Sequence, residues 1–299
     1  MIRTAAVTLA SLLACVAITS ARQDAKLGEF RQVLDRRLDS IATSLDGVLG
    51  YTIVDLTTGE EIKRLQDSVF PTASTIKLAI LYELFKQADE GVIDLDQVKS
   101  LDRQHVVGGT GVLRELAAPA MALRDYAVLM VVLSDNTATN LLIDVVGMEK
   151  VTARMRALGM PQTKLRRRMI DLDAARRGDE NVSTPAELAK LLQVLYRGDG
   201  LSRKSHEALI AILQKDKTTP MRSGIPADVP VANKPGSLEG VAVDAGIVYL
   251  KNRPYIFTAM STFLDHEEQG DAAITAASRA VFEYFSRLAH ASDYGRAIK

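Results

Sequence analysis

Strand-like stretches stand near both ends of this chain, with a long run of helical periodicity between them, and that layout leaves few folds open. Residues 48–55 and 60–65 are rich in β-formers and are joined by a turn around Thr57-Thr58-Gly59. Far downstream, residues 229–234 form a short strand. Val241, Val243, Ala245, Ile247 and Tyr249 then alternate, and 254–264 is rich in β-formers and aromatics. Phe30, Leu34, Leu38, Ile41 and Leu45 mark an amphipathic helix before the first strand, and another helix covers about 271–288 after the last. The expected fold is α/β in the α+β sense: an antiparallel sheet built from both chain ends, flanked by helices, with an all-helical lobe inserted after the second strand. The sheet lobe is expected at about 26–65 plus 228–290 and the helical lobe at about 66–227. Together they make one domain over 22–299.

Within the middle, Phe70-Pro71-Thr72-Ala73-Ser74-Thr75-Ile76-Lys77 leads into an apolar run. Ile76, Ile80 and Leu84 recur at i+4 spacing, Gly91 stands where a helix could end, and Pro71 discourages helix before it. Ser74 therefore sits at or near a helix start with Lys77 one turn on, on nearly the same face. A serine is a poor nucleophile until something takes its proton, and a nearby desolvated lysine can be that base. The helix-start amides favour the negative charge that develops there. Taken alone, Ser-x-x-Lys also describes an N-cap serine with a solvated lysine.

Residues 113–159 read as helical and apolar, broken at Ser134-Asp135-Asn136 and at Gly147. Residues 164–181 show no clean period and read as a long loop with a function. Its arginines, Arg166 to Arg168 with Arg176 and Arg177, are expected to pair with Asp171, Asp173, Asp179 and Glu180. Thr184-Pro185-Ala186-Glu187 has the N-cap, first-turn proline and capping-box glutamate of a helix start, and that helix runs to about Arg197; another covers about 202–215. Gly108-Gly109-Thr110-Gly111 is not followed by Gly-Lys-Ser/Thr, so it reads as a tight turn rather than a phosphate cradle.

Composition narrows the function. With 37 basic and 37 acidic residues the formal net charge is zero, which gives no push toward nucleic acid or an anionic membrane. The four histidines, His105, His206, His266 and His290, are scattered without metal-ligand spacing, and no His–carboxylate motif suggests a His-based triad. At the start, Arg3 precedes an apolar run over 5–18 and small residues at 19–21, the pattern of a leader cleaved after Ala21. A permanent anchor is the alternative, but the run is shorter than the roughly 20 residues a spanning helix needs. The only cysteine, Cys15, lies in this leader. Leu12-Leu13-Ala14-Cys15 is similar to a lipoprotein processing site, although Val16-Ala17 after it is atypical. The expectation is an exported, periplasmic or secreted protein with no stable membrane span, without metal or cofactor, acting as a monomer on a small molecule.

Three short motifs now stand in order: Ser74-x-x-Lys77, Ser134-Asp135-Asn136 and Lys234-Pro235-Gly236. Each is weak by itself, since Ser134-Asp135-Asn136 could be only a capping turn and Lys234 could face water. As a set they resemble the penicillin-recognising serine enzymes, and among them class A β-lactamases and class A-like serine hydrolases. The resemblance covers about 27–288 and includes the run from Ser134 to Leu142. It implies that Ser74 attacks a β-lactam or acyl carbonyl and forms an acyl-enzyme, with Lys77 taking its proton. Ser134 would relay a proton to the leaving nitrogen, helped electrostatically by Lys234, and Asn136 would hold the substrate's side-chain amide. The backbone N–H groups of Ser74 and Ser237 would make the oxyanion hole, and Gly236 would let substrate pass close to the strand.

The chain departs from that pattern in three places. Pro235 replaces the hydroxyl that normally helps bind the substrate carboxylate, for which Ser237 is the candidate substitute. Asp244-Ala245-Gly246 stands where many class A enzymes carry an arginine for the same carboxylate, leaving Arg222 as a nearby candidate. Counting back from Gly178-Asp179-Glu180, Met169 replaces the glutamate that drives deacylation and Asp173 replaces the asparagine that helps hold the hydrolytic water. Asp173 is then the candidate base, or Asp171 if the loop slips by register, and both could instead pair with the loop's arginines. The expected function is an exported serine hydrolase that opens β-lactams with slow or altered deacylation. The rivals are a D-Ala-D-Ala peptidase-like enzyme and a non-hydrolysing penicillin-binding or sensor module.

Overall fold

A computed structural model describes residues 25–117, 119–292 and 294–297. The leader and Cys15 lie outside them. The amphipathic stretch near the start is helix α1 (25–44), which buries Leu34, Leu38 and Ala42. Strand β1 (Val48–Asp55) pairs antiparallel with β2 (Glu61–Arg64). The turn between them is closed by Asp55, whose carboxylate accepts the Thr57 N–H at 2.8 Å.

The chain next makes the short strand β3 (Phe70–Pro71), a 3₁₀ turn (Ala73–Ile76) and helix α2 (Lys77–Asp89). A small ribbon, β4 (Val98–Ser100) with β5 (Ala120–Ala122), precedes α3 (Leu123–Val132), α4 (Asn136–Val146) and α5 (Met148–Ala157). The long loop holds one short helix, α6 (Leu172–Arg176), and ends in β6 (Val182–Ser183), which pairs with β3. Helices α7 (Pro185–Arg197), α8 (Arg203–Gln214) and α9 (Pro220–Ser223) follow. Strands β7 (Val231–Leu238), β8 (Val241–Val248) and β9 (Tyr255–Thr262) and helix α10 (Glu267–Ala289) complete the order.

The five-stranded sheet runs β2-β1-β9-β8-β7, with antiparallel neighbours throughout, so strands from the two chain ends meet at β1–β9. Alternate residues of β9 serve two cores. Tyr255, Phe257 and Ala259 pack with α1 and α10 on one face, while Ile256 and Met260 join the core of the helical lobe on the other. β1 is buried along nearly its whole length on both faces, Thr52 and Asp55 included, so its sequence shows no clean apolar–polar alternation.

Two boundaries differ from expectation, and both matter for the cleft. The described residues within 113–122 are not α-helical: a 3₁₀ turn (Leu113–Glu115) is followed by strand β5 (Ala120–Ala122). Pro119 fixes its own φ and lacks an N–H donor, which disfavours it in a helix interior. Strand β7 does not stop at Lys234 but continues to Leu238, with Pro235 paired in register with Asp244. Because β7 is the edge strand, a proline there need not break a ladder on both sides.

Candidate active site

Ser74 is placed from two directions. The Thr72 N–H and hydroxyl both donate to the Asn181 carbonyl, at 2.8 and 3.0 Å, and tie the approach to α2 onto the end of the long loop. Ala73 then takes a left-handed φ of 45°, which turns the chain into the 3₁₀ segment carrying Ser74. From the other side, β7 presses against the same amides. A Cβ on Gly236 would lie 2.5 Å from the Ser74 nitrogen and 3.0 Å from that of Thr75, so only a bare backbone fits.

Lys77 begins α2 one turn on and is fully buried, at 0% exposed. Its ammonium donates to the Ser134 carbonyl at 2.8 Å, the Ser134 hydroxyl at 3.0 Å and Asn136 Oδ1 at 3.1 Å. Burial, and then the Lys234 charge, hold the Lys77 amine well below the usual lysine range, against the opposing pull of Asp135. Lys234, 1% exposed on β7, donates to the Ser134 hydroxyl at 3.1 Å and to the Pro235 carbonyl at 2.8 Å. Burial lowers it to about 7, helped by Lys217 and opposed by Asp244. One serine hydroxyl therefore sits between two buried amines whose protons are held less tightly than those of an exposed lysine.

Ser134 occupies the turn between α3 and α4 with φ 51°. Asp135 beside it caps α4 through the Ala138 N–H at 2.9 Å, and its other oxygen accepts the N–H groups of Val112 and Leu113. The glycine loop closes over this turn: Thr110 donates to the Ser134 carbonyl at 2.8 Å, and Gly111 (φ 118°) abuts the Asp135 side chain where a Cβ would not fit. This glycine run is thus a turn that seats against Asp135.

Ser74, Ser134, Asn136, Lys234, Gly236 and Ser237 line one cleft of about 410 Å³, with Lys77 beneath it on Ser134 and Asn136. Met169 lines that cleft from the long loop and is 8% exposed. Its backbone is clamped at both ends by Asn140 of α4, which accepts the Met169 N–H at 2.8 Å and donates to its carbonyl at 3.1 Å. The loop's neck is pinned by Asn181, whose side chain accepts the N–H groups of Arg166 and Arg167 and donates to the Arg167 carbonyl.

The other loop candidates are elsewhere. Asp173 points outward on α6 with its side chain 80% exposed, ion-paired to Arg176 at 2.6 Å, and does not line the cleft. Asp171 is the N-cap of α6, accepting the Ala174 N–H at 2.9 Å. Arg166 pairs with Asp179 and Arg167 with Glu180 as expected, whereas Arg168 reaches outside the loop to Asp144 of α4. Arg222 does not line the cleft either: it donates to the Val231 carbonyl and faces Asp216. Asp244 is fully buried, holding Asn233 and the Met221 N–H, and burial raises its carboxyl. Among the described residues no group of three or more His, Cys, Asp or Glu could hold a metal ion, and no helix is long and apolar enough to cross a membrane.

Sequence reasoning passed over Asn140, Asn181 and Asp271, the last a cleft residue on α10. Asn140 had a signal, since it follows Asn136 by one helical turn and so faces the same side.

An antiparallel sheet with an inserted helical lobe, and a serine–lysine–serine–lysine cluster where the two meet, define the fold and site of a penicillin-recognising serine enzyme. The sequence model of the Beta-lactamase enzyme family matches residues 33–285, and the chain belongs to that family. β-Lactamase AST-1 of Nocardia asteroides is 32% identical over 84% of this chain and 83% of its own. An ancestral class A β-lactamase superposes with a TM-score of 0.79 at 30% identity, covering 84% of this chain and all of that one. The L158E mutant of PBP-A, solved as an acyl-enzyme complex with penicillin G, gives 0.79 at 26% identity, covering 86% of this chain and 97% of that one.

Proposed function

We propose that this protein opens β-lactam rings through an acyl-enzyme on Ser74 and releases the product slowly. The observation that carries this reading is the buried hydrogen-bonded line Lys77–Ser134–Lys234 in the cleft that Ser74 also lines. A buried lysine whose proton is held less tightly than an exposed lysine's is the better placed to act as a base. Lys77 takes the Ser74 proton as Oγ attacks the carbonyl, and the oxygen's new charge is met by the Ser74 and Ser237 N–H groups. As the C–N bond breaks, the leaving nitrogen receives a proton from Ser134, which Lys234 orients and replenishes. Asn136 holds the acyl side-chain amide.

Hydrolysis of the ester needs a base within reach of a water. The loop presents Met169 to the cleft, and a thioether cannot take that proton. Asp173 is turned to solvent and Asp171 is spent capping α6. Acylation then outpaces deacylation, and acyl-enzyme accumulates. The same feature favours a second reading, a D-Ala-D-Ala peptidase-like enzyme for which β-lactams are slow suicide substrates. PBP-A, whose L158E mutant forms an acyl-enzyme with penicillin G, is a structural neighbour consistent with either. In both readings the enzyme is a monomer exported by cleavage near Ala21, and the mature chain begins near Arg22.

Mass spectrometry after mixing with penicillin tests the shared chemistry. One equivalent of adduct should form and persist, and Ser74→Ala should abolish it with the fold intact. Stoichiometric labelling of Ser74→Ala would end this reading. Steady-state rates on a chromogenic cephalosporin and on a D-Ala-D-Ala peptide then decide between the two substrates.

A further inference from the structure

The cleft is unusual in the charge it carries at one end. Asp271 stands on α10 one turn before Thr275, which donates to the Pro220 carbonyl at 3.0 Å, so the two residues share the face that meets the segment before β7. Thr218, Pro220 and Asp271 all line the cleft beside Lys234 and Ser237. Asp271 has no ion-pair partner among the described residues. Burial raises its carboxyl, and the neighbours that add to this are all acidic: Asp244, Glu267 and Glu268.

The cations of the cleft offer it nothing. Arg167 is committed to Glu180, with two N–H groups on one carboxylate oxygen at 2.9 and 3.1 Å. Lys234 is engaged with Ser134 and Pro235. Arg222 and Lys217 lie behind the segment, bonded to the Val231 carbonyl and to the Leu213 and Lys215 carbonyls respectively, and neither lines the cleft.

We infer that Asp271 is a specificity-determining residue that turns this end of the cleft against an anionic substituent and toward acyl donors that are neutral or cationic there. The inference rests on Ser74 acylation as proposed above and ranks substrates for that site: acyl donors with a free carboxylate, β-lactams included, are captured more slowly than their neutral counterparts. A carboxylate brought beside an unpaired carboxylate in a half-enclosed cleft is repelled, whereas an ester, amide or amine is not. Asp271 does not touch the reacting atoms. It acts on the capture of substrate, so its effect belongs in the second-order acylation constant and depends on the charge of the substrate.

A penicillin and its methyl ester make the test, because they share the ring and the acyl side chain and differ only in that charge. Acylation of each by the full chain is followed by mass spectrometry, in the unsubstituted protein and in Asp271→Asn. Asparagine keeps the shape, so the variant should raise the constant for the carboxylate form about tenfold or more, as removal of a like-charge contact does. It should leave the ester unchanged, which also reports that the cleft is still folded. Equal effects on the two compounds, or none on either, would overturn the role of Asp271 while leaving Ser74 acylation standing. Failure of the unsubstituted protein to form an adduct with either compound would overturn both.

Discussion

Replacing Lys234 by methionine should separate the chemistry of a buried amine from its energetic cost. Lys234 is 1% exposed and is lowered to about 7, from 10.5 in an unfolded chain. Between those values the unfolded state binds more protons than the folded state, so this residue makes stability rise with pH across the window. At pH 6 both states are charged and nearly the whole cost is felt, about 5 kcal/mol for a shift of roughly three and a half units at 1.36 kcal/mol each. By pH 9 the folded amine is neutral and about 2–3 kcal/mol of that has been relieved. Methionine removes the titration and keeps much of the volume. Asp244, left without that charge, keeps its hydrogen bonds from Asn233 and Met221.

Denaturant unfolding of both proteins between pH 6 and 9 measures the difference. The advantage of Lys234→Met over the unsubstituted chain should shrink by about 2–3 kcal/mol from pH 6 to pH 9. Its acylation by penicillin should fall at every pH. Lys77 and Lys217 contribute slopes of the same sign to both proteins, and the Lys77 slope is weaker in the variant because the Lys234 charge is part of what lowers it, which adds to the shrinkage. The buried tyrosines Tyr51, Tyr249 and Tyr284, pushed up to about 12, act with the opposite sign only above pH 10, so the range ends below them. A stability difference that stays flat from pH 6 to 9 would refute the reasoning, because it would mean the amine is charged in the folded protein throughout.

Three further outcomes follow from the cleft. Lys77→Arg should lose acylation by about a hundredfold or more in a penicillin-labelling time course, since a guanidinium does not give up its proton and cannot serve as base. Met169→Glu should speed deacylation in stopped-flow traces with a chromogenic cephalosporin, whereas Asp173→Asn should change neither step; a slower deacylation in Asp173→Asn would return that residue to the site. Gly236→Ala should cost about 1–3 kcal/mol by thermal unfolding and most of the labelling, because its Cβ would meet the Ser74 and Thr75 backbone nitrogens rather than a movable side chain.

The sheet was legible because its strands keep strong periods and lie apart from the helices in the chain, and the first two motifs were legible because each sits at a junction between elements. The limits of β7 were not, since Pro235 and Gly236 look like the end of a strand unless the strand is known to be an edge. In the loop, counting back from Gly178 against the family's pattern put Met169 at the site, but no sequence signal said which way the two aspartates face. Their fates follow from α6, a five-residue helix that takes Asp171 as its cap and turns Asp173 to solvent. Asp271 was silent because nothing in its local sequence separates a cleft residue from an ordinary polar residue on a long helix; only the packing of α10 beside Pro220 does.

Three of the six non-glycine residues with left-handed φ among the described residues line the same cleft, while Leu65, Asn252 and Phe263 lie elsewhere. Ala73, Ser134 and Ile170 hold φ values of 45°, 51° and 62°, and each belongs to a different segment that lines it. Such residues cost about 1–3 kcal/mol apiece and persist only where their surroundings over-determine them. Each is so determined here: Ala73 by the Thr72–Asn181 tie and by β7, Ser134 by Thr110 and the Asp135 cap, and Ile170 by the Asn140 clamp on Met169 beside it. The loop is therefore not a degraded remnant that has let go of its catalytic base. It is tied as closely as the segment that carries Ser74 and presents the Met169 thioether to the cleft, so the slow deacylation proposed above rests on that side chain.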